Sequence, residues 1–311
     1  MRNNQSCKLC RWLPCLLALL MLLCLPVRLA AALATSAGSP VAYASFSEKA
    51  STLTFCYGDL PAGQSAKLYI LYPDSLAEEE GGVNLKHPGW DSGVKSNTET
   101  VVFDESFKDA RLKSCQQLFS NFQQLTTFKG WENFNTSEVT SMAEMFTFCN
   151  AIQSLDLSGF NTANVTDMSQ MFNYCQSLVS LDLSGFKTEN VTDMSQMFNY
   201  CQSLVSLDLS GFNTANVTDM SQMFNYCQSL VSLDLSGFNT AEVVNMSNMF
   251  RLCIKLKDLD LSGFYTANVT DMSQMFSDCQ SLASLDLSSF KTENVTDMSQ
   301  MFNYCQSLVS L

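Results

Sequence analysis

Residues 165–186 read V-T-D-M-S-Q-M-F-N-Y-C-Q-S-L-V-S-L-D-L-S-G-F, and near-copies of this stretch follow one another with a period of 26. One cysteine marks each copy: Cys149, Cys175, Cys201, Cys227, Cys253, Cys279 and Cys305. A fixed period between 20 and 50 residues predicts a solenoid, because a single unit cannot bury its own apolar face and must stack on its neighbours. Such an array offers a long ribbed surface rather than a closed catalytic pocket, which points to a binding protein.

Within the unit, Met168, Met171, Phe172 and Cys175 fall at i, i+3, i+4 and i+7, the spacing of one helix face. Asp167 before the run and Gln170 three residues later resemble a capping box, so the spacing predicts a short helix with Asp167 as its cap. Val179, Leu181 and Leu183 then alternate with Ser180, Asp182 and Ser184, the period of a half-buried strand. Gly185 turns the chain and Phe186 returns inside. The expected fold is an α/β solenoid, a leucine-rich-repeat-like right-handed coil. Its parallel β-sheet would lie on one face and its short helices on the other, preceded by a small β-rich cap.

The unit resembles the 26-residue repeat of the BspA-like bacterial surface leucine-rich-repeat proteins. Met171-Phe172, Cys175, Leu178, Leu181-Asp182-Leu183-Ser184 and Phe186 carry the resemblance, and Leu118-Phe119 through Leu125 resembles a degraded first unit with Phe122 at the cysteine position. Phe160, Phe186, Phe212, Phe238, Phe264 and Phe290 replace the Asn or Cys of ordinary leucine-rich repeats, so that turn has no buried Asn ladder. The resemblance implies a secreted or cell-surface protein that adheres to host matrix, host cells or other microbes.

Residues 1–34 read as a signal peptide: Arg2, Lys8 and Arg11 precede an apolar stretch from Trp12 to Val27, and Ala32-Leu33-Ala34 supplies small residues for cleavage. No membrane insertion is expected after cleavage. Residues 35–114 are expected to form the N-terminal β-rich cap, with β-prone runs at Leu53–Tyr57, Leu68–Leu71 and Thr100–Phe103 and loops at 78–82 and 87–90. Residues 115–311 form the repeats. The chain stops at Leu311 inside a near-perfect unit, so a further segment is expected downstream, and a spacer presenting such a segment is the alternative to adhesion.

After the signal, 13 Lys+Arg stand against 30 Asp+Glu, a net charge near −17. This excludes nucleic acid as a partner and suits a cationic host extracellular protein or cell surface. Asp156, Asp182, Asp208, Asp234, Asp260 and Asp286 form the candidate binding column on the exposed strand face. A duplicated solvent-facing Asp, a cationic protein partner and calcium are the readings open for it. Calcium is disfavoured because no G-G-x-G-x-D turn occurs. Tyr174, Tyr200, Tyr226 and Tyr304 form a second column, either gripping a ligand or half-buried between coils. The seven repeated cysteines read as reduced, buried thiols. His87 is the sole histidine, so no His-based triad or multi-histidine metal site is expected; the chain reads as no enzyme, with no cofactor and no metal.

Overall fold

A computed structural model describes residues 40–61, 67–71 and 89–311. The expected signal peptide, the loop at 78–82 and His87 lie outside the described residues. The chain divides into two compact units; the second, Ala42–Tyr57 with Ser65–Leu311, holds nearly everything below.

Its first part is a five-stranded sheet of β1 (Val41–Ser47), β2 (Thr52–Gly58), β3 (Lys67–Ile70), β4 (Thr100–Phe103) and β5 (Thr127–Lys129), in the order β3-β1-β2-β4-β5. β1 pairs antiparallel with β3, while β2, β4 and β5 run parallel. Strict alternation of buried positions along β1 and β4 puts one face on a core. In that core Phe55 packs on Phe103, Phe107 and Phe119 with ring centroids 5.0, 5.5 and 5.8 Å apart. A short α1 (Ser92–Asn97) begins where the Asp91 carboxylate accepts the Val94 N–H. Trp90 Nε1 donates to the Leu118 carbonyl at 2.7 Å. Because β5 comes from beyond residue 114, the sheet takes a strand from the segment expected to hold only repeats.

From residue 115 onward the chain forms 26-residue coils lying side by side in register. In the coil that starts at Val165, the amides of Met168, Gln170, Phe172 and Tyr174 donate to the carbonyls of Asp193, Ser195, Met197 and Asn199 at 2.8–3.1 Å. The intervening amides of Met171, Asn173 and Cys175 bond back within the coil to Met168, Gln170 and Phe172. Each coil therefore alternates, residue by residue, between bonding its neighbour and closing a tight turn. Further turns run Cys175–Leu178, Leu183–Phe186 and Thr188–Val191.

The expected helix is absent; among the described residues the only α-helix is α1. The physical reason is that consecutive β-turns also bury residues three apart. Met168 and Met171 bracket one turn, Phe172 and Cys175 the next, and all four are fully buried. Gln170 (φ 56°) and Tyr174 (φ 59°) occupy the left-handed third position of type II turns. That conformation costs a non-glycine residue about 1–2 kcal/mol, and both residues donate their N–H to the next coil, which offsets it. The expected continuous parallel sheet is also absent. β6 (Ser154–Asp156) pairs with β7 (Ser180–Asp182), and elsewhere the repeats show isolated bridges such as Asp167↔Asp193 and Ser232↔Asp258. Extended segments and turns, with few helices, make up the fold.

Side chains of one type stack in columns through the core. Phe146, Phe172, Phe198, Phe224, Phe250, Phe276 and Phe302 lie nearly parallel at 5.6–5.8 Å. Such a pair contributes about 0.5–1.5 kcal/mol beyond its area, and methionines fill the space beside them.

The same S-L-D-L-S-G-F phrase meets different surroundings in different coils. A Cβ on Gly185 would lie 1.9 Å from the Ser158 carbonyl oxygen, whereas one on Gly211 would meet nothing within 4 Å. Gly185→Ala is expected to destabilise by about 1–3 kcal/mol, as overpacking does, and Gly211→Ala to stay within about 0.5 kcal/mol of the parent. Denaturant unfolding of the two variants measures the difference.

Candidate functional site

The candidate column lies on the exposed face, following the buried Leu155, Leu207, Leu233, Leu259 and Leu285 and the half-buried Leu181. Asp156 and Asp182 sit opposite each other in the β6–β7 register. Among the described residues no backbone hydrogen bond joins 179–186 to 205–212, so the row is not drawn together by strand pairing there. Every member holds its own turn. Oδ1 of Asp156, Asp182, Asp208, Asp234, Asp260 and Asp286 accepts the N–H of the serine two residues on, at 2.9–3.0 Å. Hydroxyl and amide of the same serine together keep the carboxyls of Asp156, Asp260 and Asp286 below the usual range, and the amide followed by the hydroxyl does so for Asp208 and Asp234. The column is thus fixed in place and charged, and its local task is to close an Asx-turn.

A second acidic column was read from the sequence as helix caps. Asp167, Asp193, Asp219, Asp271 and Asp297, with Asn245 between them, instead close the same kind of turn on the serine two residues on. They are bridged backbone to backbone from coil to coil. Gln170 does not complete a capping box; its Oε1 accepts from Asn173 Nδ2. Burial, reinforced by Asp167 and Asp219 on either side, pushes the Asp193 carboxyl up.

Three polar ladders escaped the sequence reading. Asn173, Asn199 and Asn225 are buried, each Nδ2 of the later coil donating to Oδ1 of the earlier at 3.0 Å. An Asn ladder is therefore present, in the Met-Phe-Asn-Tyr segment rather than at the phenylalanine turn. Buried Thr162, Thr188, Thr214, Thr240 and Thr266 both donate to and accept from one backbone residue of the next coil. Exposed Asn164, Asn190, Asn216, Asn268 and Asn294 donate to carbonyls of the preceding coil. A signal was available for the threonines, which repeat without change from Thr136 to Thr292 while the neighbours Asn161, Lys187 and Tyr265 vary; the two asparagine positions are interrupted, by Arg251 and Ser277 and by Glu242.

Tyr174, Tyr200 and Tyr226 are half-buried and stacked, Phe148 on Tyr174 at 4.6 Å, Tyr174 on Tyr200 at 4.2 Å, Tyr200 on Tyr226 at 4.0 Å, whereas Tyr304 is exposed. Burial pushes the Tyr200 phenol up, and its two neighbours add to this. Arg251 ends the buried Asn ladder, and Leu252 takes the tyrosine position of the same coil. Arg251 stands where earlier coils carry Asn, and its guanidinium lies 5.5 Å from the Tyr226 ring centre.

The cysteine column is closed to chemistry. Each Sγ, from Cys149 to Cys305, donates to a phenylalanine carbonyl of the preceding coil at 3.0–3.2 Å. All seven are free thiols, six buried and Cys305 half-buried. Burial pushes the Cys175 and Cys227 thiols up to about 12, far from the thiolate that reacts or binds metal.

The profile of the family described as "Mycoplasma protein of unknown function, DUF285" matches residues 113–232 and again 202–310. Those matches span more than half of the chain. The chain belongs to that family. No curated protein matches the chain. Among solved structures, one described as "Crystal structure of TLR13-ssRNA13 complex" is 17% identical, over 61% of this chain and 32% of that one, with a TM-score of 0.21. The chain spans about a third of that protein's length, and at this score the likeness carries no argument.

Two outcomes are expected of this DUF285 protein. Asp193→Asn keeps the turn acceptor, as Asn245 does, and removes a half-buried charge between two like charges. It should raise the unfolding free energy measured in urea at pH 7 by about 0.2–1 kcal/mol, on the scale of cross-strand pairs. The gain should vanish below pH 3.8, where the carboxyl is protonated folded and unfolded alike. The exposed column has the opposite sign: its lowered carboxyls lend stability that is lost as pH falls below 3.8. Second, maleimide labelling followed by peptide mass spectrometry should find Cys305 and Cys56 modified first. Cys149 through Cys279 should react only in denaturant.

Proposed function

We propose that the coils form a leucine-rich-repeat-like, right-handed solenoid of the BspA-like kind. In this reading the protein is secreted or held at the bacterial cell surface and binds host or microbial macromolecules without catalysing a reaction on them. Removal of residues 1–34 delivers it there, and residues 35–114 shield the apolar edge of the first coil.

The observation that carries the reading is the commitment of reactive groups to the stack. The thiols donate to carbonyls, the threonine hydroxyls bridge coils, and the buried asparagines pair with one another. What is left for a partner is outward surface, repeated coil after coil in fixed register, and a rigid surface binds with little ordering cost. Regular columns of this kind suit an extended macromolecular partner better than a small molecule, which needs an enclosing pocket.

The test is adhesion. Beads coated with the protein should attach saturably to host-cell or extracellular-matrix layers, and soluble protein should compete. Attachment no greater than that of albumin-coated beads would count against the reading.

A further inference from the structure

On the strand face, a second row runs beside the aspartates. Val179, Val205 and Val231 are 51%, 47% and 37% exposed, in three successive coils that repeat V-S-L-D-L-S. Isolated exposed valines are ordinary; an aligned row of them beside a row of charge is an amphipathic surface. The row is bounded. In the next coil its position is taken by Lys257 and in the following one by Ala283. The carboxylates alongside, Asp182, Asp208 and Asp234, are exposed and have Oδ1 fixed by the serine amides.

We infer that this face of the three coils is a docking surface for a basic polypeptide segment that carries apolar side chains among its lysines or arginines. The inference rests on the reading of the array as a binding surface and names the partner's chemistry. Charge complementarity selects it: the chain carries a net charge of −13, and a second copy would bring its own aspartate row against this one. A nucleic acid or anionic lipid is repelled for the same reason. The valines favour a polypeptide over a simple polyamine, because they give apolar side chains a place to be buried. Paired strands lie about 4.8 Å apart, and the first two of these coils, unpaired here with the rings of Phe186 and Phe212 6.4 Å apart, lie wider, so the three-coil footprint is short, about 10–15 Å. One such contact is weak, and affinity would come from pre-fixed carboxylates and from repetition.

The full chain is titrated with a labelled peptide of alternating lysine and valine, beside lysine–serine and glutamate–valine controls, at low and physiological salt. The lysine–valine peptide should bind best, and its affinity should fall with salt. The triple variant Asp182→Asn, Asp208→Asn, Asp234→Asn retains its turn acceptors; it should bind at least about tenfold more weakly, with the salt dependence gone. Val179→Ser, Val205→Ser, Val231→Ser should weaken binding while keeping the salt dependence. Lys257→Val lengthens the row and removes its one cation, so it should tighten binding, which guards against a loss caused by misfolding. Equal binding of the lysine–valine and lysine–serine peptides, or triple variants and Lys257→Val that match the parent, would overturn the inference. Should bead adhesion persist when the peptide fails, only the partner's chemistry is wrong; should adhesion fail too, the binding reading falls with it.

Discussion

Four amides per coil, those of Met168, Gln170, Phe172 and Tyr174 and their equivalents, have no acceptor in their own coil and find one only in the next. A helix would have satisfied them locally. Here each would cost about 1–3 kcal/mol if buried without a partner, so a coil is stable only against a neighbour. Stacking is the condition for folding any unit at all, which is the physical content of a repeat protein. Left-handed residues at Gln170 and Tyr174 belong to the same requirement, since those strained positions donate two of the four bonds.

Once register is fixed at 26 residues, every side chain meets its own kind, and the composition of each column must tolerate that. Phenylalanine stacks on phenylalanine. Asparagine works because its amide is both donor and acceptor and can bond the same group above and below. Threonine works by exchanging two bonds with one backbone residue of the next coil. Aspartate does not pair with itself, so it appears where its Oδ1 can turn back to a local serine amide and its charge can reach water. Asp193, only half able to do so, is the column member whose carboxyl is pushed up. Arg251 shows what one departure does. Its Nε and the Asn225 Oδ1 are both buried, and among the described residues neither has a hydrogen-bond partner. The Asn ladder stops there.

This organisation also separates structure from recognition. Groups with chemical reactivity lie in the interior columns or in the turns, held by the stack. Variation that does not disturb the stack falls on the outward positions: Val179 against Lys257, Ser232 against Asp258, Asn239 against Tyr265. A surface that varies over an invariant frame can acquire partners without refolding. That is the physical case for reading this DUF285 protein as a binding surface.

The period, the exposed aspartate row and most of the buried set were legible in the sequence, because burial leaves a pattern that no partner is needed to interpret; Val179, expected on the inward side with Leu181 and Leu183, is instead exposed. Met168, Met171, Phe172 and Cys175 were read as one buried face, and they are buried. The conformation that buries them was not legible, because turns closing every three residues and a helix of 3.6 leave the same spacing over two turns. Nor was the use of the aspartates, since a cap and an Asx-turn ask for the same residue at the same place. The bonds made by the Asn and Thr ladders, the close approach at Gly185 and the lack of backbone pairing before Gly211 were decided by tertiary structure alone. Each is a contact between residues about 26 apart, and identical phrases, as at Gly185 and Gly211, differ only in what lies against them.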